Sequence, residues 1–252
     1  MRTEELHAGI ICAGNGERLR RAYPELPKAL VPVSGRPLIY WVVSSLLRAG
    51  ARRITCLLNS SGAPTRDYLL EAFPNLPWDF LTQDTASSWE SFRRVGLALA
   101  QRSEAFWIST ADCLMSPGDL AHFAAFCRRA RMKDPDLFAA LALTRFVEDE
   151  KPLWADVNAS NFVTALGREA AQRRWVTCGL YALRARATAA FPSATAHASL
   201  REFWISRARE GRRILGVALG KTVDVDRPED VATAERFLSD AAVALFETAL
   251  PA

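Results

Sequence analysis

The chain has 252 residues, 50% of them hydrophobic and 24% charged, enough for one α/β domain with a sizeable core. Its net charge of +4 is spread over short clusters such as Arg20-Arg21, Arg128-Arg129-Arg131 and Arg173-Arg174. With no aromatics interleaved, these read as solvated helix ends and argue against a nucleic-acid surface. No run of about 18 apolar residues could span a membrane, and Met1 to His7 is too polar for a signal peptide, so a cytoplasmic protein is expected.

In chain order, apolar runs bounded by turn residues predict strands at Ala8–Cys12, Ile54–Leu58, Phe80–Thr82, Phe106–Ser109 and Leu137–Thr144. Helical patterns lie between them at Leu38–Ala49, Thr65–Phe73, Ser88–Gln101 and Pro117–Arg131. Ser88 with Ser91 suits a helix start, and Gly50 a stop after Ala49. Further on come a hairpin from Trp154 to Leu166, a strand around Val176–Tyr181 and a helix opening near Pro228. Strands alternating with helices imply a mostly parallel sheet with helices on both faces, and ligands beyond the strands' carboxyl ends. Nothing repeats and no linker stands out, so residues 1–252 read as a single domain with an insertion at about 145–185. Cys12, Cys56, Cys113, Cys127 and Cys178 are odd in number and lack C-x-x-C spacing, which suits reduced, mostly buried thiols. His7, His122 and His197 are too scattered for a zinc site.

The chemistry concentrates between residues 10 and 32. The apolar run Ile10-Ile11-Cys12 stops at Ala13-Gly14-Asn15-Gly16, Arg18 follows, and Lys28 comes behind Pro27. Small residues let backbone N–H groups close around phosphate oxygens, and the two cations stand where they could clamp the same polyanion. A dinucleotide fingerprint would need Gly in place of Leu19 and an acidic residue in place of Asn59. A P-loop fails too, because Gly216 to Thr222 has one residue too few between its glycines. The basic residues are mostly arginine, and the only lysines are Lys28, Lys133, Lys151 and Lys221, so a retained lysine suggests a need for a compact ammonium.

Two acidic segments complete the set. Asp112 falls just past the strand that ends in Phe106-Trp107-Ile108-Ser109. In Lys221-Thr222-Val223-Asp224-Val225-Asp226-Arg227-Pro228-Glu229-Asp230, period-two alternation puts Asp224 and Asp226 on one face and the valines on the other. One carboxylate from each segment, plus substrate phosphates, would suit Mg²⁺, with Mn²⁺ an alternative. Asp230 is better read as a cap of the C-terminal helix.

G-x-G-x-R-L followed by P-K resembles the signature of the sugar-phosphate nucleotidyltransferases and their relatives, which include molybdenum-cofactor guanylyltransferase and the choline-phosphate cytidylyltransferases. The late D-V-D-R-P-E-D is similar to the family's D-V-G-T-P-E-D, which aligns Asp224 with the usual metal ligand and leaves Asp226 where many relatives have glycine. The resemblance implies a Rossmann-like nucleotidyltransferase fold. It also implies transfer of an NMP group from an NTP to a phosphorylated acceptor, most often a sugar 1-phosphate, with loss of pyrophosphate.

By the same resemblance Ala13, Gly14, Asn15, Gly16, Gln83 and Ser88 would contact nucleotide, although Ser87-Ser88 replaces the family's Gly-Thr. Arg18 and Lys28 would be catalytic, and Asp112 with Asp224 or Asp226 would hold the metal. Lys151, in an E-K-P that precedes its hairpin instead of following it, and Thr177, Gly179 and Tyr181 would face the acceptor. Phosphocholine or a pterin cofactor remains open as acceptor, as does a noncatalytic nucleotide-sugar sensor on the same fold. A glycosyltransferase would leave Arg18 and Lys28 unexplained. No nucleic-acid or membrane partner is expected, and a homo-oligomer is allowed.

Overall fold

The computed structural model describes residues 5–146 and 152–240. The first half of the chain forms β1 (Leu6–Cys12), α1 (Glu17–Arg20), β2 (Pro32–Val33), β3 (Arg36–Pro37), α2 (Leu38–Arg48), β4 (Ala51–Leu58), α3 (Ala63–Ala72), β5 (Trp78–Thr82), α4 (Ser88–Ala100) and β6 (Ala105–Thr110). The second half forms β7 (Cys113–Leu114), α5 (Pro117–Lys133), β8 (Ala139–Thr144), β9 (Trp154–Val157), β10 (Val163–Leu166), β11 (Trp175–Arg184), α6 (Leu200–Arg209), β12 (Ile214–Ala218), β13 (Val223–Asp224) and α7 (Pro228–Ser239).

The central strands β6, β1, β4 and β5 lie side by side in parallel, so the carboxyl ends of β1, β4 and β6 open at one edge of the sheet. Strands covered on both faces read as continuous apolar runs, which is why they are legible in the sequence. On one face Ala8 and Ile10 of β1 pack with Val42, Leu46, Leu120 and Phe123 of α2 and α5. On the other face Phe106 and Ile108 of β6 pack with Trp89, Phe92, Phe203 and Trp204 of α4 and α6. The expected α/β architecture, helices on both faces of a mostly parallel central sheet, is present. Among the described residues no helix is long and apolar enough to cross a membrane. The five cysteines are unpaired.

Two expectations need correction. The ten-residue β11 runs antiparallel to β6 and β8 and sits between them, so the back of the expected insertion is an integral strand of the main sheet. The front of it forms the antiparallel hairpin β9–β10 at the sheet's end. The second correction concerns the start of α4. Ser87, not Ser88, is the N-cap: its hydroxyl accepts from Glu90 N at 3.1 Å, and Glu90 in turn accepts from Ala86 N at 2.8 Å. Ser87 thus caps the helix, and Glu90 holds the backbone of the residue before the cap.

Candidate active site

The site is built where β1 and β6 end. Beyond Cys12 the chain turns through residues 13–16 into α1, and Gly16 takes a left-handed conformation with φ 59°. A β-carbon on Gly16 would stand 2.6 Å from the Lys28 β-carbon, so the loop closes over the stem of Lys28 only because position 16 has no side chain. Lys28 itself opens a short 3₁₀ turn (Lys28–Leu30) behind Pro27, with Leu30 N donating to Pro27 O at 2.8 Å. Asn59, just past β4, reaches across and donates its amide to Ala13 O and to Asn15 Oδ1, each at 3.4 Å. The glycine-rich loop is thus held from two sides.

The acidic residues are brought to the same place by backbone pairing. Ala111 N donates to Ile11 O at 3.1 Å, which fixes the turn after β6 against β1. The short strands β7 and β13 pair antiparallel, with Asp224 opposite Cys113, and Val225 N donates to Asp112 O at 3.0 Å. Alternation works as expected: Val223 and Val225 are fully buried, and the residues between and after them, Asp224 and Asp226, are exposed. Asp230 caps α7 as expected, accepting from Asp226 N at 2.8 Å and Arg227 N at 2.7 Å, which also fixes the backbone carrying Asp226.

In this frame the Lys28 ammonium sits between two carboxylates, 2.5 Å from Asp112 Oδ2 and in direct contact with Asp226 Oδ1. The partners lie 84 and 198 residues away in sequence. Burial alone would ease the proton off Lys28, but Asp112 and Asp226 outweigh it and raise its affinity for the proton. Burial likewise opposes charge on Asp112, and Lys28 reverses this and holds that carboxyl below its ordinary value. Among the described residues Asp224 has no such cationic partner. Lost hydration, then the nearby Asp112 and Asp226, push its carboxyl up to about 7 against the opposing Cys113 and Lys28.

The loop, Lys28, Asp112 and Asp226 face one cavity of about 770 Å³, and Asp224 is not among its lining residues. Of the residues singled out from the sequence, Gly14, Asn15, Gly16, Arg18, Lys28, Ser88, Asp112 and Asp226 line it. Thr110 and the β4–α3 turn (Asn59, Ser61, Gly62, Pro64, Thr65) also line it. The sequence reading used Asn59 only as evidence against a dinucleotide fold; its position ending a strand adjacent to β1 was the available signal.

Several predicted contacts lie elsewhere. Ala13 and Gln83 are not among the lining residues; Ala13 O is taken by Asn59, and Gln83 N continues the β5 ladder to Leu58 O at 2.8 Å. The Ser88 hydroxyl, though at the cavity rim, accepts from Leu200 N at 2.9 Å and tethers α6. Thr177 N donates to Leu153 O at 3.1 Å. Gly179 faces Thr110 where the β11–β8 register breaks, and a β-carbon there would stand 2.1 Å from Thr110 Oγ1; the glycine makes room for a side chain of the cavity wall. Tyr181 is packed into the aromatic cluster, stacked on Trp204 with centroids 5.4 Å apart and edge-on to Phe92 at 5.3 Å. Lys151 lies outside the described residues.

Among the described residues no group of three His, Cys, Asp or Glu side chains is placed to hold a metal by itself. The donors present are nonetheless hard carboxylate oxygens, one of them, Asp224, lacking a direct cationic partner. That suits Mg²⁺, which takes one or two carboxylates and completes its shell from substrate phosphate and water.

The chain is similar to known proteins along most of its length. A bifunctional sugar-1-phosphate nucleotidylyltransferase/acetyltransferase of Sulfurisphaera tokodaii is 40% identical over 55 residues, a stretch that spans 22% of this chain and only 14% of that protein. The inositol-1-phosphate CTP transferase of T. maritima superposes with a TM-score of 0.78 and 17% identity over 100% of both chains. A UDP-glucose pyrophosphorylase complexed with UDP-glucose gives 0.73 and 17% identity, covering 92% of this chain and 97% of that one. At that identity the superpositions establish the fold. The family model described as the MobA-like NTP transferase domain matches residues 8–203, and the chain belongs to that family.

Proposed function

We propose that this protein transfers an NMP group from an NTP to a phosphorylated acceptor, a sugar 1-phosphate, and releases pyrophosphate. The observation that carries the reading is the single cavity onto which the glycine-rich loop, Arg18, Lys28 and the carboxylates Asp112 and Asp226 all face. Its volume, about 770 Å³, is ample for a nucleotide. An acceptor phosphate oxygen attacks the α-phosphorus in line; the new P–O bond forms as the bond to the β-phosphate bridging oxygen breaks, and pyrophosphate leaves with the electron pair.

The acceptor needs no general base, because a phosphate monoester is already largely dianionic near neutral pH, its second pKa being about 6. The work of the chain is therefore positioning and charge. Backbone N–H groups of residues 14–16 receive phosphate oxygens, and Arg18 and Lys28 offset charge that develops on the triphosphate. Asp112 with Asp224 or Asp226 would hold Mg²⁺ or Mn²⁺, which when bound supplies Lewis-acid charge neutralisation across phosphate oxygens. Residues 1–252 act as a single nucleotidyltransferase domain in this reading, with the β9–β10 hairpin on the acceptor side.

The sugar acceptor is favoured by the Sulfurisphaera relative and the UDP-glucose pyrophosphorylase fold. A cyclitol phosphate is the second reading, because the inositol-1-phosphate CTP transferase superposes over the whole of both chains. Four NTPs screened against sugar 1-phosphates, inositol 1-phosphate, phosphocholine and pterin phosphates, with pyrophosphate release as the readout, test both. Turnover with one sugar 1-phosphate at least tenfold above every other acceptor supports the first reading. Turnover confined to a non-sugar phosphate overturns it.

A further inference from the structure

The position of Lys28 raises a conflict that the proposed reaction must resolve. Asp112 is needed by a divalent cation, yet its Oδ2 already accepts from the Lys28 ammonium at 2.5 Å. Two cations crowded on one carboxylate oxygen repel one another strongly at so short a distance. Asp226 presents the opposite situation. It is half-exposed, it contacts Lys28 directly, and its backbone is fixed by the Asp230 cap. Asp226 therefore has the geometry of an anchor for the lysine.

We propose that Lys28 is a resident counter-ion of the substrate-free cleft that yields Asp112 to the divalent cation when nucleotide arrives, and that Asp226 is the positioning residue that keeps its ammonium in the cleft. Lys28 turns about Asp226, releases Asp112 Oδ2 and points its charge into the cavity that the triphosphate fills. The stem is already confined: it is only 14% exposed and passes under Gly16 where no β-carbon intervenes. Without the anchor the ammonium would swing out to water, and its competition for Asp112 would fall. The choice between Asp224 and Asp226 as the second metal ligand then falls on Asp224, which the Lys28 ammonium does not contact. This inference rests on the proposed nucleotidyl transfer, but it is tested without turnover.

The test is Mn²⁺ titration of the full chain, without nucleotide, followed by loss of the free Mn²⁺ electron paramagnetic resonance signal. Lys28→Met is expected to bind Mn²⁺ at least tenfold more tightly than wild type, because the competing ammonium is gone. Asp112→Asn and Asp224→Asn are expected to bind at least tenfold more weakly. Asp226→Asn decides the matter, being a half-exposed change that leaves the fold intact. Loss of a ligand, or simply of a negative charge, predicts weaker binding, whereas loss of the lysine's anchor predicts binding as tight as wild type or tighter. A tenfold loss in Asp226→Asn, matching Asp112→Asn, overturns the proposal, as does unchanged affinity in Lys28→Met. Either failure leaves the pyrophosphate-release screen standing, and a failed screen with the expected Mn²⁺ affinities would sink the reaction alone.

Discussion

Replacing Gly16 with alanine isolates the contact on which the site's geometry depends. Gly16 has φ 59°, and a left-handed residue with a β-carbon costs about 1–2 kcal/mol. For a chain of this size that is a fall in Tm of roughly 2–8 °C, since each kcal/mol is worth roughly 2–4 °C. The protein should stay folded at 25 °C. The steric effect falls on the chemistry. The new β-carbon would stand 2.6 Å from the Lys28 β-carbon, against an ordinary closest approach near 3.4 Å, so loop and lysine must part by about 0.8 Å. The Lys28 β-carbon cannot swing aside, because it belongs to the turn held by Leu30 N→Pro27 O and Val31 N→Lys28 O. A misplacement near 1 Å costs up to about a hundredfold in rate, so kcat/KM in Gly16→Ala should fall roughly 10- to 100-fold. Kinetics and melting curves are measured on four proteins: wild type, Gly16→Ala, Lys28→Ala and the double variant. If the glycine acts through the lysine, the double variant is no slower than Lys28→Ala alone. A Gly16→Ala rate within twofold of wild type, or losses that simply multiply, would refute the reasoning.

Gly179→Ala drives a β-carbon to 2.1 Å from Thr110 Oγ1 between two paired strands, so Tm should fall by roughly 2–12 °C for an overpacking cost of about 1–3 kcal/mol; Thr110→Ala should restore it, and an unchanged melt in the single variant would contradict the packing described. Removing the cap with Asp230→Ala frees two backbone N–H groups and should cost about 1–2 kcal/mol in chemical denaturation, with Asp230→Asn milder; equal stability of Asp230→Ala and wild type would count against the cap. His7 is buried and hydrogen-bonded to Thr55 at 3.1 Å, and burial, only partly opposed by Asp79, lowers its pKa from 6.5. The unfolded chain therefore takes up the proton more readily, and the stability His7 contributes is present above pH 6.5 and lost as pH falls below it. Tm should drop between pH 7.5 and pH 5.5 by more in wild type than in His7→Gln, and identical slopes would exclude His7 as the source.

The parallel core of the fold was legible because its strands are short apolar runs stopped by turn residues, and the helices between them keep a 3.6-residue period with plain stops. The glycine-rich loop, Asp112 and the late aspartates were legible for a related reason: each stands at the end of an apolar run, where a parallel sheet delivers its ligands. What could not be read is partnership across long separations. Nothing local to Lys28 says that it lies between Asp112 and Asp226, because β7–β13 pairing, a contact of two residues per strand, brings them together. The antiparallel direction of β11 escaped because strand sense is set by its distant partners, and the segments Ile214–Ala218 and Leu200–Arg209 escaped because Gly216 and the buried Arg207 interrupt their patterns. Tyr181 was read as facing the acceptor from a short motif, whereas its ring is buried by Trp204 and Phe92, which come from helices far off in sequence.

The central claim is that this cleft moves an α-phosphorus. The direct measurement is incubation of α-³²P-labelled NTPs with the acceptor panel and Mg²⁺, resolving labelled products and counting pyrophosphate in the same samples. The expected result is label in a nucleotidylated acceptor, one pyrophosphate released per product, and a loss of at least a hundredfold in Asp112→Asn. Label that stays in NTP, or appears only as free NMP, with every pair of substrates would contradict nucleotidyl transfer, and a wild-type rate in Asp112→Asn would contradict the site assigned to it.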